Sequence, residues 1–460
     1  MADAERKLTR KEVVGFGLGD FGFNLFWSTT SLYLLFFYTD VLGISASTAG
    51  LIILVCLVWD GVTDPVMGAF ASRTRSRWGR YRPYVLLGAP FTAVSFWLMF
   101  TRPPFGSEWT VAWALGTHLL FRTAYTVQSI PYSSLSSVMT TNSTERGRLA
   151  AARMMSATTS GLLVAFFTLV LAGRLADDRA TGFALLAALY AAISLALFAI
   201  TFTTTREHVE PPQNGELPGL RDMVRLVSGN AAFLLLFAAT MASSIGGTLF
   251  SKALVYYVIY DLGQPDAVGT LLAALIGTIT VFVPVWQAVT RRTSKRFVWV
   301  CGCAISALIY LAWFLVPPAS VPSALAFLVL LGIGSAAFYL TFWSMLPDTI
   351  EYGIFKTGVR AESLQFGLIS FAQKVALGLG VGLLGILLDV VGYRANEVQS
   401  ATTLDSMRVI LTLLPALLTI VSASLMWFYP LDRHLHGRLT RAVEWRQRRS
   451  SHTSKSLATL

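Results

Sequence analysis

Asp60 and Asp64 stand four residues apart inside an apolar stretch, between Leu51-Ile52-Ile53-Leu54-Val55 and Val66-Met67-Gly68-Ala69-Phe70. At helical pitch this spacing projects both carboxylates from one face. A charge at a bilayer centre costs about 2.5–3.5 kcal/mol on insertion scales, so an intramembrane acid pair marks an ion or proton pathway. Two carboxylates and a hydroxyl can begin the oxygen shell that a hard cation such as Na⁺ prefers. Alternatively the pair shares a proton, because two close charges in a low dielectric do not both ionise easily. Thr63, between the aspartates, and Thr126 are the candidate hydroxyls. Lys374 is the one strong cation in its apolar span, and an unpaired ammonium there is costly, so it is expected to face the aspartates or a cavity. The candidate cation site, and the metal site if the ion is Na⁺, is therefore Asp60 and Asp64, with Thr63, Thr126 and Lys374 around them.

A second set of residues suits a polyhydroxylated ring. Asp20, Asn24 and Trp27 fall at i, i+4 and i+7, hence on one helical stripe. A carboxylate, an amide and an indole offer hydrogen-bonding groups beside a flat apolar face. The fourth apolar span carries Arg122, Tyr125, Thr126, Gln128, Ser129, Tyr132 and Ser133, which is too polar a face for lipid and implies water. Arg153, near the start of the fifth span, could form an ion pair or clamp a substrate oxygen, and Gln373 neighbours Lys374. Lys252 and Arg408 are expected to snorkel from helix ends. His118, alone in its span, is expected to hydrogen-bond between helices. Cys56, Cys301 and Cys303 are expected to be packing residues without disulfides.

These residues need a membrane scaffold, and composition supplies one. The 460 residues are 54% hydrophobic and 13% charged, about half the charge of an average soluble protein. Twelve spans are expected, near 13–39, 48–72, 83–101, 110–138, 149–173, 181–204, 231–260, 267–290, 297–316, 322–350, 362–390 and 406–429. The fold class is thus an all-α polytopic membrane protein. The longest polar interruption, Thr204 to Asn230, divides six spans from six. The expected organisation is a first six-helix half (1–204), a central linker (205–230), a second half (231–430) and a basic, disordered tail (431–460). Two halves around a midplane site is the layout of an alternating-access transporter.

The net charge of +11 does not point to nucleic acid. If both termini are cytoplasmic, the inner segments hold 27 of the 36 Lys and Arg, including Arg73, Arg75, Arg77, Arg80, Arg82, Arg291, Arg292, Lys295 and Arg296. The outer loops hold Arg102, Arg174, Arg179 and Arg394. The positive-inside rule then places both ends inside, as expected for a multi-pass protein of a cell (inner) membrane. The basic connections are also expected to lock an outward-facing state through Glu145, Asp348 or Glu351. The N-terminus runs straight into a full span, with no cleavable signal expected.

Several segments carry a family resemblance: Gly15-Phe16-Gly17-Leu18-Gly19-Asp20, Phe37-Tyr38-Thr39-Asp40-Val41-Leu42-Gly43, Trp59-Asp60-Gly61-Val62-Thr63-Asp64-Pro65, Arg75-Ser76-Arg77-Trp78-Gly79-Arg80-Tyr81-Arg82-Pro83, Ile130-Pro131-Tyr132, Glu351-Tyr352-Gly353 and Gln373-Lys374. With them the chain resembles the glycoside–pentoside–hexuronide:cation symporters of the major facilitator superfamily, the melibiose permease family. The resemblance implies that Asp60 and Asp64 are coupling-cation carboxylates, with Thr126 and Lys374 beside them. It implies that Asn24, Ser129, Ser133, Arg153 and Tyr339 line a sugar cavity. The melibiose permease pattern has aspartates where this chain has Asn24 and Ser129, and tryptophans at Ser133 and Tyr339. Losing two carboxylates argues against a galactoside and leaves Arg122, Arg153 and Lys374 less neutralised, which favours a hexuronide on charge.

The expected activity is secondary transport of a glycoside, oligosaccharide or hexuronide coupled to Na⁺ or H⁺, by a monomer in the lipid bilayer without cofactor. A lysolipid, amphiphile or drug transporter of the same superfamily is the alternative. An enzyme is not expected: the only histidine in a span is His118, and no Gly-x-Ser-x-Gly or His-Glu-x-x-His occurs.

Overall fold

The computed structural model describes residues 7–140, 142–208, 229–357 and 362–431. Among them are twelve long helices: α1 Arg10–Phe36, α2 Ala46–Arg73, α3 Arg82–Met99, α4 Thr110–Met139, α5 Ser143–Leu175, α6 Arg179–Thr204, α7 Ala231–Tyr256, α8 Ala267–Arg292, α9 Lys295–Leu315, α10 Val321–Thr357, α11 Glu362–Val390 and α12 Ala401–Trp427. The expected spans match to within a few residues, except that α5 begins six residues earlier, α10 runs seven further and α12 begins five earlier. Most of the expected linker (209–228) and of the tail (432–460) lies outside the described residues, as do Arg221, Arg225 and Arg360.

Polar starts set the helix boundaries. Thr9 and Glu12 form a capping box at α1, and Asn142, Asp178, Ser294 and Ser400 cap α5, α6, α9 and α12 by accepting from first-turn N–H groups. Among the described residues, nine helices are long and apolar enough to cross a membrane by length and composition. The remaining three are α1, α3 and α4, and the first and last of these carry the polar faces singled out above.

A repeated device appears at the ends of α1 and α7. Each helix widens into one π turn, Phe37–Val41 and Tyr257–Asp261. Each then turns on a glycine at positive φ, Gly43 at 72° and Gly263 at 67°, where a side chain would be strained. The backbone bonds also match, Leu42 N–H to Phe37 O and Leu262 N–H to Tyr257 O, both 2.9 Å. Leu42-Gly43 and Leu262-Gly263 are the sequence trace of this six-helix period.

The two sets of six helices meet along α2 with α11 and along α5 with α8. Small residues allow the approach: Gly50 lies against Val381 O and Gly382, Gly385 against Ala46 O, and Gly269 against the carbonyls of Ala165 and Phe166. All these positions lie toward the end of the bundle that holds the two π turns, here the far end. At the other, terminal end, several polar contacts stay within one set of six. Lys295 Nζ pairs with Asp348 at 2.7 Å, Asn230 donates to Thr349 O, and Glu12 contacts His208. Glu207 accepts the N–H groups of Arg80, Tyr81 and Arg82.

Among the described residues, Lys295 and Glu145 do not supply the expected lock between halves. Lys295 does meet Asp348, but within its own set, and Glu145 binds Arg148 one turn along α5 and Leu8 N–H. The physical reason is that this conformer is closed at the opposite, far end.

Candidate cation and substrate site

The i, i+4 spacing on α2 does put Asp60 and Asp64 on one face, and α4 and α11 bring groups to it. Thr126 Oγ1 lies 2.6 Å from Asp60 Oδ1 and 3.1 Å from Asp64 Oδ1, and its single proton serves the nearer oxygen. Lys374 Nζ lies 2.8 Å from Asp60 Oδ2 and is also paired with Asp64 Oδ2. Arg122 reaches Asp60 Oδ2 more loosely, at 3.8 Å. Asp60 is fully buried, so its charge depends on these partners rather than on water. Two carboxylates face two cations, and three oxygens (Asp60 Oδ1, Asp64 Oδ1 and Thr126 Oγ1) converge on one side. Because α11 belongs to the opposite set of six helices from α2 and α4, the cluster bridges the two sets.

That arrangement can bind a small cation in two ways. Na⁺ can take the three converging oxygens, with Lys374 relaxing away from the carboxylates it bridges. A proton can instead neutralise one carboxylate and weaken the hold on Lys374. Thr63 is not brought into this set: its hydroxyl donates to the carbonyls of Trp59 and Asp60 on its own helix, at 3.0 and 3.2 Å. His118 Nε2 accepts from Arg122 Nε at 3.1 Å one turn along α4, within its own helix rather than between helices as expected, and so orients the guanidinium.

A cavity of about 780 Å³ opens beside the cluster, between the two sets of helices. Of the sequence-derived substrate residues, Trp27, Arg122, Tyr339 and Gln373 line it, as does Lys374. Trp27 holds its ring 5.2 Å from the Arg122 guanidinium carbon, so a cation and an aromatic face are presented together. Asp20, Asn24 and Arg153 are brought to one another instead. Arg153 Nε donates to Asp20 Oδ1 at 2.9 Å, and Asn24 Nδ2 donates to Asp20 Oδ2 at 3.0 Å. Arg153 also lies over the Tyr132 ring at 5.5 Å. Tyr125 packs among Phe23, Trp27 and Phe121. Ser129, half-buried, and Ser133, exposed, continue the Arg122–Thr126 stripe of α4 toward the terminal end.

Lys252 corrects an expectation. It does not snorkel: it is 7% exposed and lines the cavity from α7. The π turn carries the helical path on to Asp261, which puts Lys252 roughly 13 Å of helix from that end, beyond the reach of its side chain. Arg408, by contrast, does sit near the far end, pairing with Asp261 at 2.7 Å and Asp405 at 3.0 Å. Sequence reasoning also missed Asp40. Its carboxylate accepts from Tyr260 and from Tyr393 at 2.9 Å, while Thr39 contacts Tyr256 at 2.9 Å and Asn396 donates to Asp40 O at 2.8 Å. An acid in an otherwise apolar motif was the available signal.

The chain belongs to a family of membrane transporters of the major facilitator type: the MFS/sugar transport protein model matches residues 15–433. Within that class it is a member of the glycoside–pentoside–hexuronide:cation symporter family that the motifs resemble. It is 32% identical to the uncharacterized symporter YnaJ of Bacillus subtilis (strain 168), over 97% of each chain. It is 30% identical to a glucuronide carrier protein homolog of Escherichia coli (strain K12), over 93% of each chain. Its fold is similar to the crystal structure of a bacterial homolog of the human lysosomal transporter Spinster, inward-facing and unoccupied. That similarity has a TM-score of 0.67 at 11% identity and covers 91% of this chain and 95% of that one.

Proposed function

We propose that the protein carries a sugar or glycoside across a cell (inner) membrane, coupled to Na⁺ or H⁺, by alternating access between two rigid six-helix halves. The terminal end faces the cytoplasm in this reading, which the distribution of Lys and Arg supports. The conformer is then inward-facing, since the close helix approaches and the Asp40 cluster lie at the far end. One observation carries the proposal: Asp60 and Asp64 of one half are neutralised by Lys374 of the other, on the wall of the cavity. Binding a cation at the acids changes what Lys374 can hold, and thereby the free-energy difference between conformers. Such coupling is reciprocal, so substrate must raise cation affinity by the factor that cation raises substrate affinity. Trp27 and Tyr339 supply faces for a sugar ring, and Gln373 and Arg122 supply hydrogen-bonding groups.

The test is uptake of labelled glycosides and uronides into vesicles with imposed Na⁺ or proton gradients. Accumulation that collapses with one gradient identifies the ion. Uptake of both classes at equal rates with and without either gradient removes the proposal.

A further inference from the structure

The charged side chains on the cavity wall are Arg122, Lys252 and Lys374, and among the described residues no carboxylate lines it. Two of these cations are answered from behind the wall, because Asp60 and Asp64 pair with Lys374 and Asp60 also reaches Arg122, more loosely. Lys252 is not answered. It is more than nine-tenths buried, and among the described residues its ammonium has no ion pair and no hydrogen bond, while it faces the cavity. A buried ammonium without a partner is destabilising unless a ligand or water completes it.

Its surroundings are those of a polar subsite rather than a lipid-facing helix. Ser244, Thr248, Ser251 and Lys252 fall on one stripe of α7, and all four line the cavity. The Thr248 hydroxyl donates to Ser244 O at 2.7 Å and the Ser251 hydroxyl donates to Thr248 O at 3.1 Å. Those donations commit each hydroxyl proton to the backbone and leave the oxygen free to accept from a sugar hydroxyl. Leu272, Leu275 and Ile276 of α8 form an apolar wall of the same space, which strengthens any charge pairing made there.

We propose that Lys252 is the anion anchor of the substrate site, and that the substrate is a sugar carrying one carboxylate. The carboxylate docks on Lys252 in the second half while the ring lies toward Trp27 and Arg122 of the first, so one ligand spans both halves. This inference rests on the transport reading above and specifies its substrate. It also gives the coupling an electrostatic component. A bound coupling cation raises the positive charge beside the cavity, which favours an anionic sugar over a neutral one of the same shape.

The experiment compares two probes that differ only at one carbon, methyl glucuronide with a carboxylate and methyl glucoside with a hydroxymethyl group. Each is tested for binding and for gradient-driven uptake in proteoliposomes of the full chain. The parent protein should bind the glucuronide at least tenfold more tightly than the glucoside. Lys252→Gln should lose at least tenfold in glucuronide affinity while the glucoside changes less than twofold, and Lys252→Arg should restore part of the difference. Removing an unanswered buried charge should raise thermal stability in the absence of sugar, so Lys252→Gln is expected to fold; a fall in that stability counts against an unanswered ammonium. Equal losses for both probes, or no loss for either, overturn the anchor. A parent that accumulates the glucoside and refuses the glucuronide overturns it too, and leaves the transport reading intact. Accumulation of neither probe under either gradient overturns both.

Discussion

Among the acids that join the halves of this bundle, two clusters are neutralised by different chemistry. At mid-bundle, Asp60 and Asp64 are held by a lysine from the opposite half, with an arginine behind. At the far end, Asp40 is held by the tyrosine hydroxyls of Tyr260 and Tyr393, with Asn396 on its carbonyl and, among the described residues, no cation in contact. An ion-paired acid can exchange its partner for another cation, so the mid-bundle cluster can answer to an ion. An acid satisfied by neutral hydroxyls offers directed bonds that exist only while the halves are together. The first cluster is suited to coupling and the second to latching.

Asp261 sharpens the contrast, because it sits in the same π-turn device as Asp40 on the equivalent helix. Its partner, Arg408, comes from its own half. One backbone motif is therefore used once inside a half and once between halves.

The largest effect is expected from Asp60→Asn. It should abolish gradient-driven accumulation while the protein still inserts, leaving at most equilibration; uphill uptake at parental levels would separate Asp60 from coupling. Next is Lys374→Ala, which strands one buried and one half-buried carboxylate. Breaking a buried pair typically costs about 3–5 kcal/mol, so thermal stability should fall and the cation titration should shift. An unchanged titration midpoint would take Lys374 out of the site.

Asp40→Ala is expected to act on the gate instead. Losing charge-assisted bonds of about 1.5–3 kcal/mol each should open the far end, at about tenfold per 1.4 kcal/mol. The readout is faster amide hydrogen exchange at 46–50 and 382–396, with the cation titration unmoved. If that titration moves as it does for Lys374→Ala, the two clusters do not have separate duties. The smallest effect is expected from Asp261→Ala, which should lower thermal stability and leave exchange at 46–50 at the parental rate.

The ion cluster was legible in the sequence because charges are rare in apolar windows, and two acids at helical spacing have one geometric reading. Trp27 and Arg122 were legible for a similar reason, as polar or aromatic residues on stripes. Thr63 misled because a threonine in a helix can donate to its own backbone, which spacing does not reveal. Asp20, Asn24 and Arg153 were each visible, but not that they would satisfy one another. Lys252 was misplaced although the expected span already reached residue 260, because spacing along one helix does not show that a side chain faces a cavity between helices.

Periodicity and charge are local quantities, and they determined the twelve helices, the family motifs and the two-aspartate face without any knowledge of packing. Which cation answers which acid, where small residues let α2 approach α11, and which lysine is left facing an open cavity are decided by contacts between helices hundreds of residues apart. Those choices depend on the whole bundle reaching its lowest free energy, so they became readable only once the halves were assembled.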